Sequence, residues 1–148
     1  MFCYQCEQTA NHTGCAGRAG VCGKSAEVAD LQDELTGTLI TLARTANELP
    51  SPALGVIRDG LFATLTNVNF DGEFIRKLTD DARAHIRAQT NGRDEAAYAM
   101  ERVWKGPDED IRSLKSLLLF GLRGIAAYAW HARVLGKEDA ETDAFLRR

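Results

Sequence analysis

Residues 25–50 read SAEVADLQDELTGTLITLARTANELP. Apolar side chains recur in this run at steps of three and four residues, which is the period of an amphipathic helix. They are Val28, Leu31, Leu35, Leu39, Leu42, Ala46 and Leu49. Ser25 is a suitable N-cap and Pro50 a suitable stop, so the run predicts a first helix of roughly six or seven turns.

The same periodicity continues to residue 92. A second helix is predicted at about residues 53–67, and a third begins after Asp71, a candidate N-cap. The predicted inner face of the third helix contains Phe74, Leu78, Ala82 and Ile86. Short connections between the three helices predict one up-down three-helix-bundle unit over residues 25–92.

Residues 93–148 predict a second, incomplete helical unit. A short helix at about residues 94–104 precedes the breaker Gly106-Pro107, and Asp108 is a candidate N-cap for the longest helix. A final helical piece is expected at 138–145. The predicted inner face of the longest helix contains Ile111, Leu114, Leu118, Leu122, Ile125, Ala129, Ala132 and Leu135.

No segment alternates with period two, so the fold class is all-α. The 148 residues, 45% hydrophobic and 26% charged, suffice for one ordinary core. An incomplete second unit would leave an apolar face exposed, which makes a homodimer a candidate assembly.

The charge and the hydropathy pattern exclude some classes of partner and location. A net charge of −3 offers no basic excess for nucleic acid, and no apolar stretch is long enough to span a membrane. The N-terminus has neither the basic nor the long apolar region of a signal peptide. We therefore expect a cytoplasmic protein.

Residues 1–24 have loop chemistry and contain every cysteine of the chain. The spacing is Cys3-x2-Cys6-x8-Cys15-x6-Cys22. Because thiols stay reduced in the cytoplasm, four cysteines in so short a stretch indicate metal ligation more than disulfides.

Three interpretations of these cysteines remain open from the residues alone. An iron–sulfur cluster needs four thiolates and tolerates wide loops between them, so this spacing favours it. A structural zinc site usually has two tight Cys pairs, and here only Cys3 and Cys6 form one. A redox-active dithiol at the same pair lacks the preceding strand of a thioredoxin-like motif.

Neighbouring residues fit a cluster but have ordinary explanations as well. Arg18 and Lys24 could supply positive charge, and glycines of the loop could direct backbone N–H groups at sulfur. Phe2 and Tyr4 could exclude water. Each could equally be a solvated cation, a turn glycine or a packing aromatic.

Six stretches carry a family resemblance. They are residues 1–9 (MFCYQCEQT), 14–15 (GC), 20–24 (GVCGK), 29–33 (ADLQD), 109–115 (EDIRSLK) and 121–129 (GLRGIAAYA). In this order they resemble the N-terminal domain of the hybrid cluster proteins, also called prismane proteins or hydroxylamine reductases. On this resemblance, residues 1–24 are the iron–sulfur-binding loop, and residues 25–92 and 93–148 are the two helical units of that one domain.

The resemblance implies that Cys3, Cys6, Cys15 and Cys22 bind a conventional iron–sulfur cluster. The gaps from Cys3 to Cys6 and from Cys6 to Cys15 resemble those of family members with a 4Fe–4S cluster, whereas the last gap resembles that of members with a 2Fe–2S cluster. Because the middle gap sets how the ligands wrap around the cluster, 4Fe–4S is favoured. In the family this cluster passes electrons to a hybrid cluster, which reduces hydroxylamine or nitric oxide and has ligands in later domains.

No cysteine follows Cys22. The chain is therefore expected to be an electron-transfer module without catalysis of its own. Its expected partners are a redox protein or the missing C-terminal catalytic domains. The alternative is a stand-alone redox-sensing or structural metal-binding interaction module.

Overall fold

The computed structural model describes residues 3–6, 14–46 and 48–148. Within these residues it contains six α-helices and no strand, which confirms the all-α fold class. None of the described helices is long and apolar enough to cross a membrane. The helices are α1 (Ala26–Thr45), α2 (Ser51–Ala63), α3 (Gly72–Gln89), α4 (Glu101–Trp104), α5 (Glu109–Val134) and α6 (Ala140–Leu146).

Three predicted N-caps are confirmed. Ser25 Oγ accepts a hydrogen bond from the backbone N–H of Val28, at 3.2 Å. Asp71 accepts two backbone N–H groups at the start of α3, and Asp108 accepts the N–H of Ile111 at the start of α5. Each cap satisfies donors that the first helical turn leaves without a partner, which explains where these helices begin.

Helices α1, α2 and α3 form the predicted three-helix unit around one apolar core. Leu35, Leu42 and Ile75 are fully buried at its centre. Helix α5 lies against α2 and adds Leu119 and Ala126 to the same cluster of buried residues. The core therefore extends from α1 to the middle of α5.

The predicted inner face of α5 is only partly confirmed, because Leu122 packs partly buried against the core but the fully buried residues of the helix are others. The structure buries Leu119, Arg123 and Ala126, whereas Leu114 and Leu118 are 64% and 62% exposed. These three buried residues are four and three positions apart, which is a helical spacing. The middle residue, Arg123, is charged, and an analysis of hydrophobic periodicity places charged side chains on the solvent side of a helix. The apolar residues near the start of α5 instead form an exposed face, which consists of Ile111, Leu114, Leu117 and Leu118.

Helix ends also differ from the predictions. Helix α1 ends at Thr45, so Leu49 lies beyond it, and α2 already begins at Ser51 because Pro52 is tolerated in a first turn. On the predicted inner face of α3, Leu78, Ala82 and Ile86 are buried, but Phe74 is exposed and its neighbour Ile75 is buried instead.

The helix predicted at 94–104 is reduced to α4. Residues 93–99 instead run beside α1, where the N–H of Tyr98 donates to Gly37 O and Thr41 Oγ1 donates to Ala96 O, each at 3.0 Å. These bonds to α1 replace the internal hydrogen bonds of a helix. Local helix propensity carries no information on such tertiary bonds, so it did not predict that this segment is non-helical.

Gly37 allows this close approach. A Cβ built on Gly37 would lie 2.2 Å from the carbonyl oxygen of Tyr98. Since that neighbour is backbone, it cannot turn aside as a side chain would, so only glycine fits in α1 at this point.

Gly37→Ala should lower the free energy of unfolding by about 1–3 kcal/mol, because overpacking must displace the Tyr98 backbone. The matched control is Gly55→Ala in α2, where a Cβ meets nothing within 4 Å. That variant should be neutral or stabilised by up to about 1 kcal/mol through helix propensity. Urea unfolding of both variants measures the difference, and equal stabilities would contradict the close approach.

Candidate metal centre

All four cysteines line one pocket beside the N-terminal end of α1. Cys3, Cys6 and Cys15 are partly buried and Cys22 is exposed, and none of the four forms a disulfide. The pocket is lined by Cys3, Gln5, Cys6, Cys15, Gly20, Val21, Cys22, Lys24, Thr66 and Asn67. The structure thus brings together every residue predicted as a ligand, and their role as ligands stays a prediction.

Backbone pairing holds two of the cysteines side by side. The N–H of Cys3 donates to Cys15 O at 3.0 Å, and the N–H of Cys15 donates to Cys3 O at 2.9 Å. Gly14 precedes Cys15 with a φ of +58°, and a Cβ there would lie 2.5 Å from the Tyr4 ring. A glycine at position 14 is therefore required where the backbone of Cys15 pairs with that of Cys3.

A tight turn places Cys22 at the rim of the pocket. The N–H of Gly20 donates to Lys24 O at 2.8 Å, and the N–H of Gly23, with a φ of +86°, donates to Gly20 O at 2.9 Å. Val21, at the tip of this turn, is 79% exposed. The rim of the pocket that carries Cys22 therefore faces solvent.

Contacts of Tyr4 and Gln5 help to attach the cysteine loop to the helical part of the chain. The ring of Tyr4 stacks on Trp104 of α4, with 6.2 Å between centroids, and Thr66 Oγ1 donates to the backbone carbonyl of Gln5. Tyr4 thus packs against the core cluster, which is the ordinary explanation left open for it above, while Phe2 lies outside the described residues.

The two predicted cations have different positions. Arg18 is exposed, whereas Lys24 is 2% exposed and its Nζ lies 3.9 Å from Cys3 Sγ. Lys24 Nζ also donates to the side-chain oxygens of Gln5 and Gln32. Of the two, only Lys24 contributes a fixed charge to the pocket.

A buried pair of charges lies behind the pocket. Asp33 of α1 accepts a hydrogen bond from Gln5 Nε2 at 3.1 Å, and Arg123 of α5 donates to the hydroxyls of Thr36 and Thr64. Burial raises the pKa of the Asp33 carboxyl to about 6, against the effect of the Gln5 hydrogen bond and of the Arg123 and Lys24 charges. Burial lowers the pKa of Arg123 to about 10, opposed by the negative charge of Asp33.

The Cys3 thiol has its pKa raised, and burial is the main cause. The backbone N–H of Gln5 and the charge of Lys24 act in the opposite direction, because both favour the thiolate. The chain thus supplies a donor and a cation that favour the ligating form of this sulfur.

Sequence reasoning missed the polar residues that support the pocket. Gln5, Gln32, Asp33 and Thr66 meet only through tertiary contacts, which the sequence does not show. A signal was available at Gln5, Gln32 and Asp33, because they lie in the MFCYQCEQT and ADLQD stretches that carry part of the family resemblance.

No group of three or more His, Cys, Asp or Glu side chains among the described residues is arranged to hold a single metal ion. A separate pocket lies at the C-terminal end of α3 and is lined by Arg83, Ile86, Arg87 and residues 94–97. Arg83 pairs with Glu34 and Arg87 with Asp94, so the positive charges of this second pocket are already neutralised.

An all-α scaffold that carries four cysteines and a buried lysine in one N-terminal pocket defines a cysteine-lined candidate metal centre on a helical domain. The family model described as the Prismane/CO dehydrogenase family matches residues 1–148, the whole chain. The chain belongs to this family, which confirms the resemblance found in the sequence.

The relatives of the chain include proteins named hydroxylamine reductase. Those of Desulfitobacterium hafniense and Desulfovibrio desulfuricans are each 38% identical to it, over 100% and 99% of this chain. That of Bacteroides thetaiotaomicron is 39% identical over 99% of this chain. The chain spans only about a third of these relatives, 31–32% of their length. No solved structure matches the chain.

Asp33 should make stability depend on pH. The raised pKa means that the folded state keeps this proton up to about pH 6, whereas the unfolded chain releases it near 3.8. The free energy of unfolding should therefore fall by about 3 kcal/mol as pH rises between these two values. Asp33→Asn lacks the ionisable carboxyl, so the variant should not show this fall.

Unfolding midpoints of the wild type and Asp33→Asn, measured from pH 3.5 to 7.5, test this prediction. The unfolding midpoint of Asp33→Asn should rise relative to that of the wild type as pH rises. Asp30→Asn, on the exposed side of α1, is the matched control for the substitution itself. A difference that stays constant across the range would contradict the raised pKa.

Proposed function

We propose that Cys3, Cys6, Cys15 and Cys22 hold an iron–sulfur cluster and that the chain is the electron-transfer module of a hybrid cluster protein-like reductase. The observation that carries the proposal is that all four thiols line one pocket beside the buried Lys24. Membership of the Prismane/CO dehydrogenase family supports an iron–sulfur cofactor in general.

The residues of the pocket fit such a cofactor. Four thiolates are the usual donor set of a cluster, and the chain has four cysteines, all in this pocket. When bound, the cluster would accept and release single electrons. The chain's own residues pair the backbones of Cys3 and Cys15 and place a cation beside them.

The exposed rim at Cys22 suits exchange of electrons with a partner. A donor protein could approach the turn of residues 20–24, because Val21 and Cys22 are both exposed there. On the inner side, Gln5 and Thr66 close the pocket towards the helices. We therefore place electron entry at the turn that carries Cys22.

The cluster type is part of the proposal. We favour 4Fe–4S over 2Fe–2S, because the middle gap between Cys6 and Cys15 resembles that of 4Fe–4S members of the family. In the structure this gap ends in the Cys3–Cys15 pairing, which sets how the ligands surround the pocket.

A whole reductase would need more than this chain. Reduction of hydroxylamine to ammonia and water takes two electrons and two protons, and a module of this kind would deliver the electrons one at a time. The match to this chain covers only 32% of the length of the Desulfitobacterium hafniense relative named hydroxylamine reductase. We propose that in a longer protein of this kind the substrate site is formed by residues beyond those aligned here.

A second candidate function is a metal-binding interaction module, and one observation favours it. The exposed face of α5, formed by Ile111, Leu114, Leu117 and Leu118, is apolar and could pack against another protein. A homodimer and a covering domain both stay predictions for this face. Zinc in place of iron and sulfide would favour this candidate over electron transfer.

Metal analysis tests the electron-transfer proposal directly. The chain purified without oxygen should contain iron and acid-labile sulfide in equal amounts, about four of each for a 4Fe–4S cluster, with a visible band that dithionite bleaches. Cys15→Ser should lose most of both. Ala16→Ser is the matched control, because it introduces a serine at the next position, which is exposed.

A colourless chain that binds zinc would contradict the proposal. About two irons and two sulfides per chain would keep the electron-transfer function and overturn only the cluster type.

Turnover measurements test the expectation that the chain is not catalytic alone. With dithionite as reductant and hydroxylamine as substrate, the cluster-loaded 148-residue chain should form no more ammonia than the Cys15→Ser variant. The expected reason is that no cysteine follows Cys22, so this chain has no counterpart of the cysteine ligands that the family's hybrid cluster takes from later domains. Sustained ammonia formation above that control would contradict the expectation.

A further inference from the structure

The inference begins with the surroundings of Lys24. Its side chain is buried, and its ammonium donates to Gln5 Oε1 at 3.1 Å, donates to Gln32 Oε1 and lies 3.9 Å from Cys3 Sγ. The ring of Phe70 covers another side, with Nζ 5.6 Å from its centroid. The three donors of the ammonium thus face two neutral amides and one sulfur of the pocket.

The amides hold Lys24 in one place. Gln5 Nε2 donates to Asp33, and Gln32 Nε2 donates to the carbonyl of Asn69 at 2.7 Å. Since each amide nitrogen is occupied, each amide oxygen is directed towards the ammonium. Lys24 therefore cannot turn away from Cys3 without breaking buried hydrogen bonds.

The charges around the pocket do not balance. None of the ion pairs formed by the described residues includes Lys24. Arg123 is also fully buried and is bonded to the hydroxyls of Thr36 and Thr64. Asp33 is the one carboxylate whose hydrogen bonds join it to this group of residues.

Among the described residues, two buried cations and one partly buried carboxylate leave an excess of positive charge. Burying an uncompensated charge is unfavourable, so this excess favours a negatively charged occupant of the adjacent pocket. A cluster with four thiolate ligands carries net negative charge, and each electron that it accepts makes that charge more negative.

We propose that Lys24 is a positioning residue that supplies the fixed counter-charge of the cluster and raises its reduction potential. This inference rests on the proposed function. In this step one electron from a donor protein reduces the cluster, and the positive charge of Lys24 lies beside it. Its positive charge stabilises the reduced form more than the oxidised form, since the reduced form is more negative by one charge.

The experiment compares the reduction potentials of cluster-loaded variants of the 148-residue chain. Lys24→Met removes the charge and keeps an unbranched side chain of similar length. Lys24→Arg restores a positive charge at the same position. Arg18→Gln is the matched control, because it removes an exposed cation of the same loop, where water and salt screen its effect.

The potential of Lys24→Met should shift to more negative values, measured by redox titration of the visible band and of the EPR signal of the reduced form. Lys24→Arg should recover most of the shift, and Arg18→Gln should stay close to the wild type. Equal potentials for the wild type and Lys24→Met, with full iron content in both, would overturn the inference.

A second variant keeps the test decisive where Lys24→Met fails to assemble a cluster. Gln32→Glu leaves Lys24 in place but puts a carboxylate against its ammonium, which neutralises the charge. Its potential should also be more negative than that of the wild type, and an unchanged potential would overturn the inference.

The two proposals fail in different ways. A wild-type chain without iron and sulfide would overturn the proposed function and the inference together. A wild-type chain with its cluster, whose potential does not respond to Lys24→Met or Gln32→Glu, would overturn only the role of Lys24.

Discussion

The burial of the Arg123 guanidinium constrains the rest of the structure. Its partners are Thr36 on α1 and Thr64 at the end of α2, so the three helices meet around one charge. The surrounding helices remove this charge from water, and the pKa of Arg123 falls for that reason. Asp33 lies on the same helix as Thr36 and offsets part of the cost. The packing of α5 on the bundle and the polar groups behind the cysteine pocket are therefore parts of one arrangement.

That arrangement joins the scaffold to the pocket through side-chain amides. Gln5 lies between Cys3 and Cys6 in the sequence, donates to Asp33 and accepts from Lys24. A change at the pocket would thus reach the charges between the helices through one residue. Networks of this kind are rigid when every donor and acceptor is satisfied, and they hold nearby ligands in a defined geometry.

Much of the fold could be predicted because it depends on local rules. Ser25, Asp71 and Asp108 begin helices because each bonds donors only two or three residues away. The buried face of α5 could not be predicted in the same way. It contains Arg123, whose burial depends on hydroxyls 59 and 87 residues distant, and no local pattern carries that information.

The same distinction holds at the candidate metal centre. The convergence of the four cysteines was predicted from their residue type and spacing, which reflect a chemical requirement for several thiolates at one place. Which cation would lie beside them could not be decided from charge alone, since Arg18 and Lys24 are both cations of the same loop. Burial separates them, and it depends on Gln32 and Phe70, which reach the pocket from outside the loop.

The stack of Tyr4 on Trp104 has an optical consequence. Trp104 is one of two tryptophans, and the other, Trp130, packs with Phe62 and His131 at a different contact. Tyr4 follows Cys3 directly, so a coloured centre held at the pocket would lie close enough to Trp104 to take up its excitation energy. The intrinsic fluorescence of the chain would then dim as the pocket fills and recover as it empties, without any added dye.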